Sequence, residues 1–392
     1  MRKDIVLASA DKCTGCGVCA AICPKGCISM SASGRIHNYP VRESDDCIEC
    51  EKCMTVCPVL QFETRQQKTI PDACEQIFYA AWHNDTEIKK TATSGAVASA
   101  LYQTALSHGY YICGADFDEN WHLAHRVSHS ESDIEKFKGS KYLQSDTSKV
   151  YKIICDLLKD DKKVLFVGTP CQVDALCRFI PARNRSQLVA CAIICHGVNS
   201  PVVWEDYIKY LQEKERNTIV RYNFRSKAFG WGKLCVDYTF ADGRCKVIPT
   251  NKNLFHYWFG KHYQLRPSCI KCSYRGVQRY ADITIGDFWG IEKIFPTLNT
   301  TNGVSVLITS SRMGRDFVMK CKNITLLETD ASKTPSVLKG LLQKKGEDIL
   351  NAELDTMYAF ERDYVSGGFT YAQRKYKMPS AIDRILKIIL GK

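Results

Sequence analysis

One run of residues is written twice near the start of this chain. Cys13-x-x-Cys16-x-x-Cys19-x-x-x-Cys23-Pro24 returns 34 positions later as Cys47-x-x-Cys50-x-x-Cys53-x-x-x-Cys57-Pro58, and an aspartate precedes each copy, Asp11 and Asp45. Three cysteines at intervals of three let one loop wrap a cuboidal iron–sulfur cluster, and in duplicated runs of this kind the fourth cysteine ligates the other cluster. The expected ligand sets for two [4Fe-4S] clusters are therefore Cys13, Cys16, Cys19 and Cys57, and Cys47, Cys50, Cys53 and Cys23. A zinc site would call for thiolate pairs across a long spacer, which this pattern lacks. Cys27 falls outside the pattern and reads as a small buried residue. Two clusters with crossed ligands lie close together and conduct single electrons, so the rest of the chain has to supply the terminals.

The chain has 392 residues, 45% hydrophobic and 24% charged, which suits a globular protein of two or three domains. No apolar run approaches the roughly 18 residues of a spanning helix, and Met1 to Val6 does not open a secretory signal. The expectation is a cytoplasmic, anaerobic setting, in which 21 cysteines bind metal or stay reduced. Each [4Fe-4S]²⁺ core with four thiolates carries about −2. The formal charge of +12 thus falls to roughly +8 with two clusters and to about +6 with a third. That excess fits an acidic partner, an anionic cofactor or small-molecule substrate, or an anionic membrane surface, and no motif points to nucleic acid.

The expected organisation is an α+β ferredoxin-like two-cluster domain over 1–62, a linker over 63–76, a larger α/β domain with a mixed sheet over 77–330, and a helical C-terminal region over 331–392. The large domain divides at 160/161. Its first part holds a strand at Phe78 to Trp82 and a helix over Ala96 to Ser107, with Thr93-Ser94-Gly95 as the helix start and Gly109 as the stop. Its second part opens with a βαβ unit: Val164 to Val167, the turn Gly168-Thr169-Pro170, the helix Cys171 to Ile180, and a strand at Leu188 to Ile194. A hairpin follows, Leu234 to Phe240 and Arg244 to Ile248, joined at Asp242-Gly243. At the end, Ile382, Ile385, Leu386, Ile388, Ile389 and Leu390 form an apolar helical face beside Arg384, Lys387 and Lys392. Such a tail docks on its own protein or makes a peripheral contact with a membrane or partner.

If the βαβ strands are adjacent, Cys171 and Cys195 stand just past their carboxyl ends, the edge where open α/β sheets place ligands. There they can converge with Cys269-x-x-Cys272 into a four-thiolate set for a third [4Fe-4S] cluster; the alternative is two ordinary buried cysteines and an idle pair. No Gly-x-Gly-x-x-Gly or P-loop run occurs, so a Rossmann nicotinamide site is unsupported. The helix starts at Thr93-Ser94-Gly95 and Gly168-Thr169-Pro170 offer N–H groups to a pyrophosphate, though such starts are common. Lys138 and Lys141 bracket a flexible basic loop that reaches an anion or simply forms a solvated turn, and Arg225 and Lys227 carry the same two readings. His196, beside Cys195, relays a proton or is structural. Asp282 and Asp287 read as capping and turn residues.

Several of these stretches occur together and in order after the cysteine-rich segment: Thr93-Ser94-Gly95, Lys138-Gly139-Ser140-Lys141-Tyr142, Gly168-Thr169-Pro170-Cys171-Gln172, Cys195-His196-Gly197, Phe224-Arg225-Ser226-Lys227, Cys269-x-x-Cys272, and Asp282 through Gly290. In this combination the chain resembles the family of coenzyme F420 hydrogenase and dehydrogenase beta subunits over roughly residues 1 to 330. The resemblance, not the composition, implies FAD, with Thr93, Ser94, Gly95, Lys138, Gly139, Ser140, Lys141, Tyr142, Gly168, Thr169, Pro170 and Gln172 as expected contacts and His196 and Lys141 as expected catalytic residues. It implies an iron–sulfur flavoprotein oxidoreductase exchanging hydride with coenzyme F420 or another organic substrate, and single electrons with a redox partner, a ferredoxin or one of the other chains of a dehydrogenase. Two alternatives stand beside it: a ferredoxin-dependent reductase of an anionic metabolite, such as one linked to exopolysaccharide, and a non-catalytic electron carrier.

Overall fold

A computed structural model describes residues 7–62, 72–276, 279–330, 332–334 and 347–379. The apolar tail expected over 382–390 and residues 63–71 of the expected linker lie outside these. Between the two cysteine runs, β1 (Ile28–Ser31) and β2 (Tyr39–Arg42) form an antiparallel hairpin. The body contributes β3 (Ala73–His83), β4 (Tyr110–Phe117), β5 (Leu123–Ser128), β6 (Lys163–Gly168) and β7 (Leu188–Ile193). It continues with β8 (Ile219–Ser226), β9 (Cys235–Phe240), β10 (Cys245–Pro249), β11 (Ile283–Asp287), β12 (Ser305–Ser311) and β13 (Ile324–Glu328). Eight of these make one mixed sheet in the order β13-β3-β12-β11-β7-β6-β4-β5, and β10-β9-β8 make a separate antiparallel sheet.

The βαβ unit forms as its sequence dictates. β6 and β7 pair in parallel from Val164↔Leu188 to Gly168↔Ala192. Past the exposed Lys163 both strands are apolar, because helices cover both faces of the sheet. Alternation along β6 sends Leu165 and Val167 into a core with the helix Val97–Ser107, and Val164 and Phe166 into a core with the helices Val150–Lys159 and Pro170–Phe179. Pro170 sits at the first helical position, and the Thr169 N–H and hydroxyl both donate to Gln172 Oε1, at 3.0 and 2.9 Å.

The second core also takes in Cys16, Val18, Ala21 and Val56, so the cysteine-rich segment is built onto the Phe166 face of the sheet. At the other end of the chain, the helix Glu347–Lys375, interrupted at Gly368 (φ 71), seats Phe360 and Tyr364 in a third, aromatic core with Trp204, Phe224 and Trp258. Glu361 of that helix accepts from the Arg35 guanidinium and the Ile36 N–H, tying the hairpin β1–β2 to the C-terminal helix. Among the described residues no helix is long and apolar enough to cross a membrane.

One local expectation fails. The helix Val97–Ser107 is preceded by Ala96 in left-handed backbone (φ 61), not by a capping Thr93, Ser94 or Gly95. The triplet is committed elsewhere: Ser94 Oγ donates to the Val304 carbonyl at 2.8 Å, and the Gly95 N–H donates to Ser305 Oγ at 3.0 Å. A Cβ on Gly95 would lie 2.4 Å from the Ala81 carbonyl, so only glycine lets the loop approach β3 this closely.

Candidate functional site

Each cysteine run closes on its own hollow. One is lined by Cys13, Cys16, Cys19 and Cys57, with Cys53 at its margin. The other is lined by Cys23, Cys47, Cys50 and Cys53, with Cys27. The electrostatics divide the same way. Burial, then Cys13 and Cys57, pushes the Cys19 thiol up to about 12, and the thiols that raise Cys53 are Cys23 and Cys50. Thr14, inside the first loop, lines the first hollow, and its buried hydroxyl has no partner within the protein, which suits a group facing a bound cluster. Cys27 is buried and its N–H donates to Cys23 Sγ at 3.3 Å.

The four body cysteines come together from three elements. Cys171 opens the helix after β6, Cys195 follows β7, and Cys269 and Cys272 come from the short helix Pro267–Ile270 and the turn after it. Burial raises Cys171 to about 11 and Cys195 to about 12, and each is raised further by Cys272. Cys269 is pushed well above its ordinary range by burial and then by Cys195, Cys272 and Cys171. Among the described residues no three His, Cys, Asp or Glu close on one point as a single metal ion requires. The body set also neighbours the first hollow: Cys171 is among the groups that raise Cys16, and Tyr274, whose hydroxyl donates to Asp174 at 2.7 Å, is raised by burial and then by Cys171 and Cys16.

Beside Cys195 an open cleft of about 1250 Å³, a volume that takes in the solvent at its mouth, runs along the carboxyl ends of the parallel strands. Thr93, Ser94, Lys138, Gly139, Ser140, Lys141, Tyr142, Gly168, Thr169, Gln172, Cys195 and His196 all line it; Gly95 and Pro170 do not. The Ser140 N–H donates to Thr93 Oγ1 at 3.0 Å, joining two of the lining loops. Lys141 Nζ donates to the carbonyls of Lys136 and Lys138 at 2.7 and 3.0 Å, and burial lowers it to about 8. His196 Nε2 lies 2.9 Å from His262 Nε2, and His262 Nδ1 lies 3.3 Å from Glu353 on the C-terminal helix.

Comparison with known proteins places this arrangement. Residues 12–60 match a 4Fe-4S dicluster domain, residues 78–152 the N-terminal region and residues 161–334 the C-terminal region of the coenzyme F420 hydrogenase/dehydrogenase beta subunit. The chain belongs to the family of coenzyme F420 hydrogenase/dehydrogenase beta subunits. It is 24% identical over 287 residues to one of the subunits of the F420H2 dehydrogenase of Methanosarcina mazei, covering 70% of this chain and 75% of that one. A further relative is the coenzyme F420-dependent sulfite reductase of Methanocaldococcus jannaschii, 26% identical over 164 residues, 42% of this chain and 24% of the reductase. Among solved structures, a chain of the F420-reducing [NiFe] hydrogenase complex from Methanosarcina barkeri aligns with a TM-score of 0.44 at 17% identity, over 75% of this chain and 91% of that one.

Within this member of the beta family, several charged motif residues serve the scaffold. Lys227 Nζ donates to the carbonyls of Lys89, Ser94 and Asn302, and burial lowers it to about 8. Arg225 pairs with Asp287 at 3.6 Å and lies over the Trp289 ring, and Asp287 also accepts from Trp231 Nε1. Asp282 is fully buried rather than a turn residue, taking bonds from Arg185, the Ala190 N–H and Ser311 at 2.8 Å each. The sequence reading missed His125 and Ser145. Both line the cleft, and Ser145 Oγ lies 3.0 Å from His125 Nδ1 while His125 Nε2 donates to the Val167 carbonyl. Gln172 Nε2 donates to Ser145 Oγ at 2.9 Å, so this buried chain fixes the floor beside Thr169. Burial holds His125 near 4, neutral at physiological pH.

Proposed function

We propose that this chain is an iron–sulfur flavoprotein oxidoreductase, with two clusters on the duplicated cysteine sets, a third on Cys171, Cys195, Cys269 and Cys272, and FAD in the adjoining cleft. The observation that carries the reading is Cys195, which belongs to the body set and also lines the cleft. FAD would supply hydride chemistry with coenzyme F420 or another anionic organic substrate, and would exchange single electrons with the clusters. The positive end of the ten-residue helix Pro170–Phe179 stands at the cleft wall beside Gly168 and Thr169, where its dipole favours a pyrophosphate. Lys141 sets a positive charge in the loop wall, and the Thr93–Ser140 bond holds that wall to the neighbouring loop. His196, itself exposed, holds a proton at the cleft edge, and its bond to His262, which faces Glu353, orients the ring.

The partner that fits is a redox protein, a ferredoxin or another chain of a dehydrogenase; the Methanosarcina mazei relative is itself part of a dehydrogenase. Anaerobically purified protein should contain about twelve irons, matching sulfide and one FAD per chain. About eight irons would leave the body set empty, and iron without flavin would sink the enzyme reading. Parallel reduction assays with reduced F420, reduced ferredoxin and nicotinamides then name the donor.

A further inference from the structure

Arg266 is fully buried, and every group that touches its guanidinium is neutral. Nε donates to Gln144 Oε1 at 3.1 Å, Nη1 to the Cys13 carbonyl at 3.3 Å and Nη2 to the Asn38 carbonyl at 2.6 Å, and the group lies 4.7 Å from the Tyr39 ring centre. Among the described residues no carboxylate pairs with it. A guanidinium taken out of water without an anion is strongly unfavourable. The anions it lacks are the two sets of thiolates beside it. Its planar face packs against Gly15 of the Cys13–Cys16 loop, where a Cβ would come within 2.5 Å of Nη2. Its backbone carbonyl accepts from the Cys269 N–H at 2.9 Å, at the head of the short helix that carries Cys269.

We propose that Arg266 is the shared counter-charge of the first ferredoxin cluster and the body cluster, holding their reduction potentials above what buried sites without a cation would have. This rests on the reading above that both cysteine sets carry clusters. One electron takes a [4Fe-4S]²⁺ core to the 1+ state and adds one negative charge to a site already near −2. A fixed cation at the site favours that added charge. None of the groups that touch the Arg266 guanidinium lines the second hollow, so the second ferredoxin cluster serves as the internal reference.

The test is an anaerobic redox titration with dithionite as electron donor, followed by electron paramagnetic resonance, the second cluster being assigned by its loss in Cys50→Ser. In Arg266→Gln, the ratio of reduced to oxidised first cluster at a fixed potential should fall about tenfold, equivalent to 59 mV for a one-electron couple, and the body cluster should move in the same direction by less. Gln144→Glu keeps the shape of the site while neutralising the guanidinium through Nε, and should give the same sign of shift; Arg266→Lys should stay near the wild-type midpoint. If Arg266→Gln does not fold, Gln144→Glu decides alone. In the protein stripped of iron by chelation, Gln144→Glu should raise the unfolding midpoint, because it supplies the missing anion. Equal shifts of the second cluster, an unmoved first cluster in Gln144→Glu, or a lower unfolding midpoint for stripped Gln144→Glu would overturn the proposal. An iron content that shows the body set empty defeats the three-cluster reading instead, and leaves the first-cluster shift still measurable.

Discussion

At Gly15 and Gly17 the first cysteine run turns through left-handed backbone, φ 67 and 71, and the second run makes the same two turns at Glu49 and Glu51, both with φ 55. The difference lies in what covers each run. A Cβ at Gly15 would meet Arg266 at 2.5 Å, and one at Gly17 would meet Ser148 Cβ at 3.1 Å. The body presses on the first run and leaves no room for side chains, whereas the second run faces outward, with Cys50 exposed and Ile48 57% exposed. Thiol chemistry follows the same division. Burial pushes Cys16 well above its ordinary range, while at Cys23 the N–H groups of Cys27, Lys25 and Gly26 outweigh burial and lower the thiol. One duplicated motif thus gives an inner site joined to the body and an outer site open to a partner.

The largest expected contrast is between the two sites as conductors. If the function proposed above holds, Cys16→Ser should remove about four irons and slow reduction of the body by an external ferredoxin at least about tenfold, with flavin retained. It should also lower the unfolding midpoint more than Cys50→Ser does, as read by iron analysis, stopped flow and thermal melts. Equal unfolding penalties in the two variants would erase the distinction between inner and outer sites. Next comes the backbone. Gly15→Ala should cost about 3 kcal/mol through left-handed strain plus overlap with Arg266. Glu49→Gly should change stability by less than about 1 kcal/mol, because it relieves left-handed strain while giving up the glutamate's own contacts. Denaturant titration measures both, and a comparable loss at both positions would refute the argument from cover.

Thiol labelling sharpens the contrast chemically. After iron removal at neutral pH, iodoacetamide should modify Cys50 and Cys23 first and Cys16 and Cys19 last, because the thiolate is the nucleophile and burial keeps the inner thiols protonated. Peptide mass mapping over time reads the order. The smallest effect is expected at Tyr151, whose hydroxyl donates to the Cys16 carbonyl at 2.8 Å. Tyr151→Phe should lower stability by about 1 kcal/mol.

What could be read from the sequence was whatever depends on near neighbours. The spacing of eight cysteines, the Thr169-Pro170 helix start and the parallel pairing of β6 with β7 are local or short-range patterns, and the structure has them. The Thr93-Ser94-Gly95 helix start failed because Ser94 and Gly95 bond to Val304 and Ser305, 210 residues away. Arg225 and Lys227 read either as binders of an anionic substrate or as strand-end decoration, and the structure gives them Asp287 and three carbonyls from distant loops as partners. Arg266 carried one signal that went unused: an arginine three residues before Cys269. Its burial depends on a loop 253 residues earlier, and no periodicity announces a contact of that span.

A segment bounded so neatly in sequence invites use as a detachable cassette, to be grafted onto other reductases or replaced by another two-cluster domain. The peptide carbonyls of its inner half argue against that. Those of Cys13, Cys16, Ile36 and Asn38 accept hydrogen bonds from Arg266, Ser268, Thr147, Tyr151 and Ser200. Excised, the segment would give these acceptors up to water; a foreign replacement would have to offer oxygens at the same points or leave the body's donors stranded. Evolution can therefore trade the outer loop freely, while the inner loop and the body have to change together.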